Sequence, residues 1–183
     1  MISFLEKMLC ATRPAFSRRA AFVWFVVAFA GFVVRADDLG VSSIVRALML
    51  TPACYPCLLH FFHSSSWSVV GLLECWWLFL AEKKAAYMVS DRMVLLGDHT
   101  KTPKDGRKMP EVATLHQESE TSSKPSFFRG HHWGFVGLLM GAGKRFFTAP
   151  IWAQIHIDSP NDSRATRIVN VAADIASKMK QRA

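Results

Sequence analysis

The chain lacks an apolar run long enough to settle it in a membrane. A spanning helix needs about 20 consecutive apolar residues, and Ala20 to Val34, uncharged between Arg18-Arg19 and Arg35, has 15. A second apolar stretch, Trp67 to Ala81, is interrupted by Glu74 and contains Gly71. A secretory signal is not expected either: the apolar stretch does not lie near the start, and Val33-Val34-Arg35-Ala36 is a poor cleavage sequence. Acidic residues are scarce, 14 against 22 Lys and Arg, so the formal net charge is +8. Such an excess favours an anionic partner, nucleic acid or an acidic membrane surface. Cysteine is limited to Cys10, Cys54, Cys57 and Cys75. Cys54-Tyr55-Pro56-Cys57 has half the spacing of a zinc site, but no second ligand pair follows at similar spacing, and no βαβ context suggests a redox motif. Ordinary buried thiols in a reducing cytoplasm are the expectation.

What remains is a chain with 51% hydrophobic and 20% charged residues, enough for a real core and too apolar for disorder. Residues 1–90 read as a helical bundle. Ser17 is placed to cap a helix from about Arg18 to Ala36, apolar nearly all round and so expected at the centre of the bundle. Ser42-Ser43 opens a shorter helix to about Leu50, and Pro52 or Pro56 suits the first turn of the next. Ser66 or Ser68 starts another that carries Trp76 and Trp77 to about Lys84. Trp67, Trp76 and Trp77 are read as bundle core rather than base-stacking platforms.

Residues 91–183 change character. Met93 to Asp98 is a short apolar run ending in a carboxylate, which reads as a buried strand. His99 to Pro125 is rich in Lys, Thr, Ser, Glu and Pro and reads as a long exposed loop, a feature uncommon in compact domains unless it is functional. Ser126 to Met140, the turn Gly141-Ala142-Gly143-Lys144 and Arg145 to His156 form a hairpin. Ser163 to about Lys180 is an amphipathic helix with Ile168, Val171, Ala172 and Ile175 on one face. The expected fold class is therefore α+β: a helical module, then three antiparallel strands and a helix.

At Leu95 to His116 the residues resemble a known family. Gly97-Asp98-His99-Thr100-Lys101, then Lys104-Asp105-Gly106-Arg107-Lys108-Met109-Pro110, is similar to the first-aspartate block of bacterial insertion-sequence DDE transposases. The likeness runs on through Leu115-His116-Gln117, Lys124-Pro125 and Phe128-Arg129-Gly130-His131-His132-Trp133-Gly134. Trp24-Phe25, Gly40-Val41-Ser42-Ser43 and Leu59-His60-Phe61-Phe62 resemble the family's N-terminal module in the expected order.

The resemblance implies an RNase H-like nuclease domain that acts on DNA, the element's ends. In that family two Asp and one Glu hold two divalent ions, Mg²⁺ or Mn²⁺, about 4 Å apart, which activate the attacking oxygen and stabilise the leaving one. Hard cations of this kind prefer carboxylate oxygens. Asp98 matches the first carboxylate, catalytic and metal-ligating. The second Asp would follow the helix at Ser163 to Lys180 and the Glu would come later, yet only Asp158, Asp162 and Asp174 lie downstream of Glu120. Asp158 and Asp162 suit helix capping and Asp174 a polar helix face. The expectation is the N-terminal portion of a transposase with an incomplete RNase H-like domain, catalytically inactive alone. Expected partners are DNA, a second copy or an intact transposase, with a cytoplasmic, nucleoid-associated location.

Lys101, Lys104, Arg107, Lys108, Lys124 and Arg129 cluster in and after the long loop, as contacts to DNA phosphates would. A non-catalytic DNA-binding module is the alternative reading; a small membrane-associated protein built around Ala20 to Val34 is a third. His60 and His63 lack a visible third ligand. His131 and His132 are adjacent on a strand and face opposite ways, so they cannot chelate one ion together. Gly137 to Arg145 does not match a phosphate loop, and a hairpin explains its glycines.

Overall fold

A computed structural model describes residues 2–37, 40–104, 106, 109–117, 125–156 and 163–182. The chain is a mixed α+β protein of two compact units, Met1–Phe79 and Leu80–Ala183. The sequence expectation put the division at residue 90. Backbone bonds explain why residues 85–87 go with the sheet: Tyr87 N–H donates to Leu139 O (2.8 Å), and Ala85 O accepts from Gly141 N–H (3.0 Å).

In the first unit the helices are α1 (Ile2–Thr12), α2 (Arg19–Val34), α3 (Val41–Ala47), α4 (Cys54–His63) and the larger part of α5 (Val69–Lys83), which runs past the boundary at Phe79, with a 3₁₀ turn at Arg13–Ala15. Helix α1 has no counterpart in the sequence expectations. Ser68 caps α5 through its hydroxyl, which accepts from Gly71 N–H at 3.1 Å. Ser17 does not cap α2; its hydroxyl donates to Ser66 O at 3.1 Å, and its amide donates to the same oxygen at 2.9 Å. The core gathers Phe16, Ala21, Ala28, Ile44, Leu58 and Phe61. Trp67 seals it by stacking on Phe61 (5.2 Å between centroids) and donating its indole N–H to Phe61 O at 3.0 Å.

Helix α2 is less central than its composition suggests. Its buried residues are Ala21, Ala28 and Gly31, while Val33 and Val34 are 65% and 60% exposed. The small side is turned inward because α3 comes close: a methyl group on Gly31 would overlap the Ile44 side chain. Among the described residues, no helix is long and apolar enough to cross a membrane.

Among its described residues the second unit holds two antiparallel sheets, the end of α5 and a further helix. The hairpin β1 (Met88–Val89) and β2 (Arg92–Met93) turns through Ser90 and Asp91, both at positive φ (48° and 59°), the geometry of a tight hairpin turn. The larger sheet is built on β5 (Phe127–Ala142). Strand β3 (Leu95–Pro103) pairs with one edge of β5, Asp98 opposite Phe135. Strand β6 (Arg145–Ile155) pairs with β5 through the hairpin, with a bulge at Val136/Gly137. Strand β4 (Ala113–His116) pairs with the first residues of β5. Since Gly130 is opposite both Pro103 and Ala113, β4 occupies the edge that β6 takes further along.

Two expectations change here. The strand carrying Asp98 does not end at that residue but continues to Pro103, because Thr100 and Thr102 sit opposite Trp133 and His131 and extend the ladder. It is also an edge strand with a mostly exposed surface rather than a buried one. The long loop that follows contains β4, so His99 to Pro125 is not without regular structure.

Helix α6 (Arg164–Arg182) begins at Ser163, whose hydroxyl accepts from Thr166 N–H at 3.1 Å. Asp158 and Asp162, read as caps, lie outside the described residues. The helix buries Ile175 and Met179, with Ile168, Val171 and Ala172 half-buried on the same side, while Asp174 pairs with Lys178 (2.7 Å) on the exposed side. Its position over the sheet depends on Gly97, where a methyl group would overlap Ile168, and on Gly134, whose added Cβ would meet Trp152 at 3.3 Å. Overpacking of this kind costs about 1–3 kcal/mol. Gly97→Ala is expected to lose that much stability in chemical denaturation, and Ile168→Ala on the same background should relieve the clash. Strictly additive losses in that pair would show that the contact does not position α6.

Candidate functional site

Residue alternation along β3 and β5 assigns the faces of the sheet. A side chain at Gly97 would point at Ile168 of α6, so Asp98 points to the other face. Phe135 lies opposite Asp98 and Trp133 opposite Thr100, so these four share the face away from α6. Asp98 is exposed, and Trp133 and Phe135 are half-buried. The Asp98 Oδ1 accepts from the His99 amide at 2.7 Å, which orients the carboxylate and leaves acceptor capacity on both oxygens.

Two of the six basic residues expected near Asp98 come together close to the start of β5. Lys104 N–H donates to Arg129 O at 2.9 Å, and both residues are exposed. Lys101 is engaged differently, its ammonium donating to His116 O at 2.9 Å. Gly130 allows the chain to pass here, since a methyl group on it would overlap Thr102 O. Arg107, Lys108 and Lys124 lie outside the described residues.

The histidines divide by face as their adjacency requires. His131 is buried, with Nε2 at 2.9 Å from Pro110 O, and its ring meets Trp133 edge-on at 6.2 Å. His132 belongs to the α6 side, where its ring lies 5.2 Å from His99 and 5.8 Å from His156. This three-ring cluster has no signal in sequence spacing; it arises from the register of three neighbouring strands. Among the described residues, no group of three or more His, Cys, Asp or Glu is arranged to hold a metal ion. His60 and His63 are on α4 as expected, and Asp174 is tied to Lys178.

The cysteines do not match the expectation of buried thiols. All four are unbridged, and Cys10 and Cys57 are exposed. Cys54 and Cys57 lie in the first turns of α4, where the Cys57 thiol donates to Ala53 O at 3.7 Å.

Sequence reasoning overlooked the aromatic row on the Asp98 face. Trp133 and Phe135 stack at 6.2 Å with 28° between their planes. The alternation His131-x-Trp133-x-Phe135 is its only trace in the sequence.

Compared with known proteins, the chain matches no family model and no curated protein.

Exposed residues with local contacts only should be replaceable without cost to the fold. Asp98→Asn is expected to leave the unfolding midpoint in denaturant within about 0.5 kcal/mol of the parent. A loss of several times that amount would assign the carboxylate a structural task.

Proposed function

We propose that the chain is a DNA-transposition protein of the DDE insertion-sequence type, in which the N-terminal helical module engages DNA and the RNase H-like portion that follows it presents Asp98. The observation that carries this reading is the exposed carboxylate of Asp98 in an antiparallel strand, on the face of the sheet that α6 leaves uncovered. The order β3-β4-β5-β6 followed by α6 departs from the expected strand, strand, strand, helix succession by the added β4, while the antiparallel pairing of β3, β5 and β6 supports the reading. Lys104 and Arg129 are exposed on the same strand pair, and a chain of net charge +8 suits a polyanion.

The two divalent ions that the resemblance implies need several carboxylates around them. The described residues bring Asp98 alone of the expected set to this face, and no group of His, Cys, Asp or Glu among them is arranged for a metal ion. These residues do not fit a pair of divalent ions. The role that this donor set supports is binding: Asp98 marks the DNA-facing side, and the basic residues meet phosphates. A non-catalytic DNA-binding module that competes with an intact transposase is the second reading, favoured by that same donor set.

Mobility shifts with a short DNA duplex across a salt series test the proposal. Affinity should fall linearly on logarithmic axes as salt rises, and Lys104→Ala or Arg129→Ala should each reduce the slope by about 1. Salt-independent binding, or none, would remove DNA as the partner. With Mg²⁺ or Mn²⁺ present, the 183-residue chain should leave the duplex uncut. Cleavage abolished by Asp98→Asn would instead show a working nuclease.

A further inference from the structure

We infer that Trp133 and Phe135 form a stacking platform for unpaired nucleotides, entered from the Arg129 end of β5 and ending beside Asp98. The inference rests on the DNA reading above and adds the state of the DNA, single-stranded rather than duplex.

The two rings occupy alternate positions of one strand, stacked 6.2 Å apart, on the side of the sheet opposite α6. Both are half-buried, so each is held by its neighbours while part of the ring stays accessible. Rigid, partly exposed aromatic surfaces take up the faces of bases, and only bases outside a duplex stack offer those faces. His131, next in the alternation, is buried and fixed through Nε2 to Pro110 O, so it braces Trp133 edge-on instead of lengthening the platform.

Charge gives the row a direction. Lys104 and Arg129 are exposed and adjoin through a backbone bond at the far end of β5, whereas the carboxylate of Asp98 lies opposite Phe135. A nucleic-acid backbone is attracted to the basic end, while a base, which carries no charge, tolerates the acidic one. The residues in between on β3, Thr100 and Thr102, are uncharged and small. Leu96, next past Asp98 on this face and 45% exposed, extends the apolar surface, but the exposed cations Lys104 and Arg129 at the other end favour a polyanion over an amphipathic peptide.

Fluorescence anisotropy with labelled oligo-dT and with a duplex of equal length tests the platform. The parent chain should bind oligo-dT, and Trp133→Ala should weaken that binding about tenfold, the scale of losing one base–aromatic stack. Its effect on duplex binding should be less than about twofold. Trp133→Phe, which keeps a ring and guards against misfolding, should restore most of the loss. Arg129→Ala, an exposed change, should weaken both substrates and do so less at high salt. Oligo-dT affinity unchanged in Trp133→Ala overturns the platform while leaving duplex binding, and the reading above, intact. Trp133-dependent oligo-dT binding without duplex binding would overturn the transposition reading and keep the platform. Binding to neither substrate overturns both.

Discussion

Strand β5 is the constraint on which the second unit depends. Its sixteen residues pair with β3 on one edge and with β4 and then β6 on the other. A strand shared in this way fixes the register of three others at once, and a slip of one residue would exchange the faces of the whole sheet. Leu138 and Val136, almost fully buried, would then turn away from the core, and Trp133 and Phe135 would turn toward α6. The position of Asp98 on the open face therefore follows from a register set by residues on the closed one.

The closed face explains the glycines that composition alone leaves ambiguous. Gly97 and Gly134 lie beneath α6: Ile168 fills the space that a side chain at Gly97 would take, and the Trp152 ring crowds the one at Gly134. Helix and sheet approach closely there, so the orientation of β3 is pinned one residue before the carboxylate. The result is a rigid element that presents Asp98, the arrangement a binding or reacting group requires, since a loop would place it less accurately. The same reasoning applies to the platform: Trp133 lies between Gly134, pinned beneath the helix, and His132, packed against His99 and His156.

Much of this was legible in the sequence because it has a local cause. The hairpin turn at Gly141 to Lys144, the apolar stripe of α6 and the serine that opens α5 are each encoded within a few residues. Opposite facing of His131 and His132 follows from strand geometry alone. Features that depend on partners distant in the chain were not legible. The extension of β3 past Asp98 depends on Trp133 and His131 across the ladder, and the burial of α2's small side depends on Ile44. Ser17 looked like a helix cap because hydroxyl residues favour that position, yet Ser66, far along the chain, offers a better partner. The His99–His132–His156 cluster belongs to this second group as well.

One carboxylate on an open sheet face is chemically limited, and the limit says something about the site. Asp98 already accepts an amide hydrogen from His99, so its orientation is set before any ligand arrives. An exposed carboxylate repels phosphate where it stands, while Lys104 and Arg129, six positions further along the two strands, attract it. On the reading proposed above, that contrast would select how a strand of DNA lies on the surface without requiring chemistry from it. Orientation and chemistry thus place different demands on this residue: the first needs only the register of β5, and the second needs further carboxylates brought to the same face. Among the described residues the second demand is not met, so the proposed reading rests on recognition rather than on cleavage.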